Sequence, residues 1–135
     1  MANTLDYTVD GFGGIKEEIG LAISDETTAL VTGTADATLR VGYAFEITAV
    51  RASVSTAPTD ATLIVDINLT GTGTIMTTNK LSIDSTEKTS ITAATAAGLT
   101  TTTLASDDEL TFDIDQVGST VAGAGLKVYI QGYRI

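Results

Sequence analysis

Threonine occupies 26 of the 135 positions in this chain, several times the share of an average domain. Its branched Cβ restricts χ1 in a helix and suits the pleated surface of a sheet. The apolar residues are mainly Ala, Leu, Ile and Val, with few aromatics and no Trp. Such a chain is expected to build sheets. Its clearest local pattern runs from Thr62 to Thr70. There Leu63, Val65, Ile67 and Leu69 fall on one side, and Thr62, Ile64, Asp66 and Asn68 on the other. That period of two marks a half-buried antiparallel strand.

The alternation recurs at short intervals. Lys80–Asp84 turns Leu81 and Ile83 inward. Glu109–Val117 turns Leu110, Phe112 and Ile114 inward and Thr111, Asp113 and Asp115 outward. In Leu126–Ile135, Leu126, Val128 and Ile130 oppose Lys127, Tyr129, Gln131 and Tyr133. Phe45–Ser55 reads as a long strand closed by Ala57-Pro58-Thr59-Asp60, where the only proline stops the ladder. Ala29–Thr32 and Thr38–Val41 read as short strands divided by a Gly33-Thr34-Ala35-Asp36 turn. Thr74–Thr77 reads as another, after the Gly71-Thr72-Gly73 turn. Ile15–Ile23 carries helix formers at Lys16, Glu17 and Glu18, but Gly20 and the brevity of the run favour a strand. Residues 86–106 are polar and of low complexity, the pattern of a surface strand with a meandering loop.

Eight or nine short strands without a helical period describe an all-β antiparallel β-sandwich, expected as a jelly roll of about eight strands. The Cys–Trp–Cys core of antibody domains is absent, which removes that branch of the immunoglobulin-type alternative. Residues 15–135 form this sandwich domain, and residues 1–14 stand apart as an N-terminal arm or edge strand. In that segment Leu5, Tyr7 and Val9 alternate with polar residues, and Phe12 sits among Gly11, Gly13 and Gly14. Apolar side chains on a pliable backbone suit either a first edge strand or an arm that docks on a partner.

Charge and missing residue types exclude several functions. The net charge is −10 and the seven Lys and Arg are scattered from Lys16 to Arg134, so neither nucleic acid nor an anionic membrane is an expected partner. Histidine, the commonest general base and transition-metal ligand, is absent, as is cysteine. No apolar run approaches the roughly 20 residues of a membrane helix. The opening MANTLDYTVD has no charged n-region followed by an apolar h-region, so a signal peptide is not expected and synthesis in a cytoplasm is.

Acid–base work by paired carboxylates is the reaction class still open. Asp113 and Asp115 share a strand face, with Cα atoms roughly 7 Å apart, a spacing compatible with a glycosidase pair. The seven Phe and Tyr of the whole chain are too few to line a sugar cleft, and a solvated outer face explains the pair. Asp107-Asp108-Glu109 resembles part of a calcium site but lacks the alternating Asp-x-Asp-x-Asp-Gly loop. Ser and Thr nucleophiles have no base in a Ser-x-x-Lys pattern. Gly71-Thr72-Gly73 and Gly123-Ala124-Gly125 are turns, since neither opens a helix or precedes Gly-Lys-Ser/Thr. The expectation is therefore no enzyme, with no catalytic residue, metal or cofactor. What remains is surface, in which Tyr129 and Tyr133 share the outer face of the last strand, as interface tyrosines do.

Several stretches resemble a module of tailed-bacteriophage virion proteins. They are Gly42–Ser53, Ala57-Pro58-Thr59, Leu63–Asn68, Lys80–Asp84, Glu87–Ser90, Asp107–Gly118 and Gly125–Val128, so the likeness runs from about residue 36 to the end. The resemblance implies a small β-sandwich that acts as a virion structural protein. As a capsid decoration (cement) protein it would bind the major capsid protein, commonly as a homotrimer, and stabilise the head. The alternative is a tail, fibre or baseplate-associated module that binds a host surface glycan. A non-viral carbohydrate-binding domain ranks third. The family motif prescribes no catalytic residues.

Overall fold

In the computed structural model, residues 15–135 are described. Their order is β1 (Lys16–Ala22), β2 (Gly33–Arg40), β3 (Phe45–Ser53), β4 (Leu63–Leu69), β5 (Gly73–Thr74), β6 (Leu81–Ile83), β7 (Thr103–Leu104), β8 (Glu109–Gln116) and β9 (Lys127–Arg134). One helical element appears among them, a 3-10 turn at Ser90–Thr92 in which the Ile91 N–H donates to the Thr89 hydroxyl.

Two antiparallel sheets form the sandwich. One has the order β1-β9-β3-β7; the other has β2-β8-β4-β5, with β6 also paired to β4. The last two strands are central: β9 lies between β1 and β3, and β8 between β2 and β4. The alternating residues make the core. Leu63, Val65, Ile67 and Leu69 of β4 face Phe45, Ile47, Val50 and Ala52 of β3, joined by Leu110, Phe112 and Ile114 of β8 and Leu126, Val128 and Ile130 at β9. All of these are buried. Burial of branched aliphatic and two aromatic side chains between the sheets is the main force holding them.

The strand expectation for Ile15–Ile23 is met by β1. Three stretches differ from their expected form. Ala29–Thr32 is not a strand: Leu30 is buried and its N–H donates to Gly123 O, but Val31 is 71 % exposed. The expected turn at Gly33–Asp36 belongs to β2, where the register against β8 slips between Gly33 and Ala37. Ala35 takes a positive φ of 52° there, and Asp36 Oδ2 accepts from Ile114 N–H at 3.2 Å. Side-chain carboxylates thus replace ladder bonds, and a turn signal in sequence becomes a bulge in space. Thr74–Thr77 pairs as a strand only at its start, because Met76 bridges instead to Leu99.

Candidate functional site

The outer face of the β1-β9-β3-β7 sheet carries the two tyrosines singled out by sequence. Cross-strand register sets its rows. Lys16, Tyr133, Glu46 and Thr103 form one, Glu18, Gln131 and Ala49 the next, Gly20, Tyr129 and Arg51 the third, and Ala22, Lys127 and Ser53 the last. Tyr129 and Tyr133 are four residues apart, roughly 13 Å along the strand, and both are half-buried. The Tyr129 ring rests over Gly20, where a Cβ would come within 3.2 Å of its Cδ1. Its hydroxyl meets the Ser53 hydroxyl at 3.1 Å. Gln131 Nε2 donates to Glu18 Oε2 at 2.8 Å. Glu46 accepts from the hydroxyls of Thr102 (2.5 Å) and Thr103 (2.7 Å), and these bonds hold its carboxyl below the usual range. The result is a flat, preorganised face of tyrosine rings, hydroxyls and mixed charge. Leu5, Tyr7, Val9 and Phe12, the proposed arm residues, lie outside the described residues.

One end of this sheet is closed by Arg134. Its guanidinium bonds both Glu17 oxygens through Nε at 3.0–3.1 Å and lies 4.0 Å from the Tyr43 ring centroid. The Arg134 bond is the main reason the Glu17 carboxyl sits below its ordinary value. Sequence spacing could not reveal this trio, since 117 positions separate Glu17 from Arg134.

The acidic residues of the opposite sheet are engaged in holding strands. Asp113 accepts from Ala35 N–H (2.7 Å) and Asn68 Nδ2 (3.0 Å). Asp115, two residues on, is pushed above the usual carboxylate range by desolvation first, then by repulsion from Asp66 and Asp113. Asp66 is 9 % exposed. Its Oδ2 pairs with Lys80 Nζ at 3.0 Å, and its Oδ1 accepts from the Thr74 hydroxyl at 2.5 Å. The alternation of β4 placed Asp66 outward, and only the fold shows Lys80 and Thr74 covering it.

The Asp107-Asp108-Glu109 carboxylates diverge. Asp108 Oδ2 accepts from Ala105 N–H at 2.8 Å. Arg40 reaches Asp107 at 3.6 Å and Glu109 at 3.5 Å, and Thr70 donates to Glu109 at 3.0 Å. No group of three acidic side chains converges as a metal site among the described residues.

One groove among the described residues was not foreseen. It has a volume of about 430 Å³ and lies between β3 and the 90–102 segment. Residues 86–106 read in sequence as a surface strand with a meandering loop; β7 (Thr103–Leu104) supplies a short strand there, and no side-chain periodicity marks the groove. Compared with protein-family models, curated proteins and solved structures, the chain matches none significantly.

Proposed function

We propose that this chain is a virion structural protein, a capsid decoration (cement) protein that binds the major capsid protein and stabilises a phage head. The observation that carries the reading is where the phage-module likeness falls. Gly42–Ser53 supplies β3, Leu63–Asn68 most of β4, Lys80–Asp84 β6, and Asp107–Gly118 β8. The similar residues thus supply β3 of one sheet and β4, β6 and β8 of the other. A jelly-roll winding is part of the proposal. It is supported by the chain's passing from sheet to sheet at β1, β2, β3 and β4 and again at β7, β8 and β9.

The face bearing Tyr129 and Tyr133 is the surface offered to the capsid or to a second copy, in a homotrimer seated on a symmetric lattice. The net charge of −10 keeps free copies apart before assembly and favours a basic patch on the partner. Nucleic acid and membranes are not among the proposed partners. The protein works in the virion after synthesis in the host cytoplasm, and no catalysis, metal or cofactor is assigned to it.

Quantitative mass spectrometry of purified particles tests this reading. Copy numbers on the scale of the capsid lattice are expected. Absence from the particle, or presence only at the few copies a tail contains, would overturn it. One observation favours the second reading, a tail, fibre or baseplate module binding a host glycan. Tyr129 is held over Gly20 and flanked by Arg51 and Ser53, an aromatic ring among hydrogen-bonding groups of the kind sugars stack on. Binding of the isolated protein to a glycan array, lost in Tyr129→Ala, would move the assignment there.

A further inference from the structure

The groove beside β3 is a gap in a ladder. At one end, β7 pairs with Phe45 and Glu46, and Ile47 N–H donates to Thr102 O at 2.7 Å. At the other, Ala52 N–H donates to Ser90 Oγ at 2.9 Å, Ser53 bridges Thr89, and Val54 N–H donates to Lys88 O at 3.0 Å. Between those ends, no strand pairs with Thr48–Arg51 on this side among the described residues. Ala52 and Val54 turn their N–H groups away from β9, so Val50, in step with them, does the same. The C=O of a strand residue points to the same side as its N–H. Val50 therefore offers a donor and an acceptor to the groove, and nothing among the described residues bonds to either across it. Backbone groups at a residue only 9 % exposed are otherwise almost always paired.

Three properties say what pairs there. The gap is short, since Thr48–Arg51 takes about three or four extended residues at roughly 3.3 Å each. Thr102 and Ser90 already hold its two ends, so a strand running on past them would compete with those bonds. A chain terminus fits where a passing strand does not. The groove also has an apolar wall, built by Ile47 and Val50 of β3, Leu81 of β6 and Leu99, which takes one aliphatic side chain level with Val50. Finally, the one charged side chain of the lining is Arg51, which is exposed and makes no ion pair among the described residues. A carboxyl terminus suits that guanidinium, and an amino terminus does not.

We propose that this gap binds the last three or four residues of a partner protein, added as a short strand against β3 with the terminal carboxylate on Arg51. The tail enters past Thr48, which is exposed, and ends beside Arg51, so it runs parallel to β3. In a parallel pair the N–H and C=O of one residue bond to the two residues flanking the one opposite. Val50 thus accepts from the last tail residue and donates to the third from the end. The penultimate residue lies opposite Val50 and shares its face, so its side chain turns towards Leu81 and Leu99. An aliphatic residue is required at that place. The last side chain falls on the outer face with Arg51 and is free to vary. Ile91, 65 % exposed at the groove's rim, adds apolar surface beside the tail.

Heteronuclear NMR titration of the purified full-length protein tests this without any particle, so it fails or succeeds independently of the phage reading. The probes are three acetylated tetrapeptides, Thr-Thr-Val-Thr, Thr-Thr-Ile-Thr and Thr-Thr-Leu-Thr, each with a free carboxyl terminus and again as the amide. At millimolar concentration at least one free acid is expected to shift the Val50, Arg51 and Leu99 amides while those of β1 and β2 stay in place. The matching amide is expected to bind about tenfold more weakly or worse, for want of the charge-assisted bond to Arg51. Arg51→Gln, at an exposed position, is expected to weaken the free acid by the same factor and leave the amide unchanged. Failure of all three free acids to shift Val50 would overturn the proposal. So would equal binding of acid and amide, which would give the gap to an internal segment, or a free acid indifferent to Arg51→Gln.

Discussion

Asp66 shows what one polar side chain does in this sandwich. It satisfies the Lys80 ammonium and the Thr74 hydroxyl at once, and both ions of the pair are largely withdrawn from water. Asp66→Ala would leave Lys80 with a single neutral partner. The expected loss is about 2–3 kcal/mol, read from the urea midpoint. Gly132 is a second such position, for steric reasons. It lies opposite Ile47, next to the slip in register between β3 and β9, and a Cβ there would come within 1.9 Å of Glu46 O. Gly132→Ala is expected to cost about 3 kcal/mol in the same measurement. The carboxylates pull in opposite directions with pH. Glu46 has a depressed pKa in the folded state. Its contribution is therefore present above its ordinary value of 4.5 and lost as pH falls through the folded value. Glu46→Gln should flatten that acid limb. Asp115 is raised, so its contribution holds in acid and disappears as pH rises through its folded value. Asp115→Asn should raise stability at neutral pH, and thermal melts between acid and neutral pH check both signs.

At the scale of elements, β2 gives the sharpest expectation. Ala35 sits at φ 52°, a conformation costing an L-residue roughly 1–2 kcal/mol. Ala35→Gly relieves that and pays back part of it in unfolded-chain entropy, for an expected net gain of about 0.5 kcal/mol. Ala35→Val should lose stability instead. The same strand marks the limit of legibility. Strands β4, β6, β8 and β9 were readable because side chains alternate between a dry core and an outer face. In β2 the signal failed, since Gly33 and Asp36 have turn chemistry and Asp113, remote in sequence, completes the bulge. Likewise, Tyr129 and Tyr133 were rightly placed on one face by their spacing. The covering of Asp66, the Arg134 clamp and the β3 groove depend on long-range pairing that no local period encodes.

For the whole molecule, seventeen acids against seven bases mean that compact folding concentrates negative charge. Screening relieves that repulsion over a Debye length of about 10 Å at 0.1 M salt. Raising NaCl from low ionic strength is therefore expected to raise the unfolding midpoint, and a fall would show that local ion pairs such as Arg134–Glu17 outweigh the global field. The central places of β8 and β9 bear on how the chain is made. Neither β1 nor β3 has its inner neighbour until β9 leaves the ribosome, and neither β2 nor β4 has one until β8 does. Among the described strands, β1 and β2 must wait unpaired, and β3 and β4 paired on one side only, until β8 and β9 are synthesised. A ribosome stalled before β8 would display an aggregation-prone chain rather than half a sandwich.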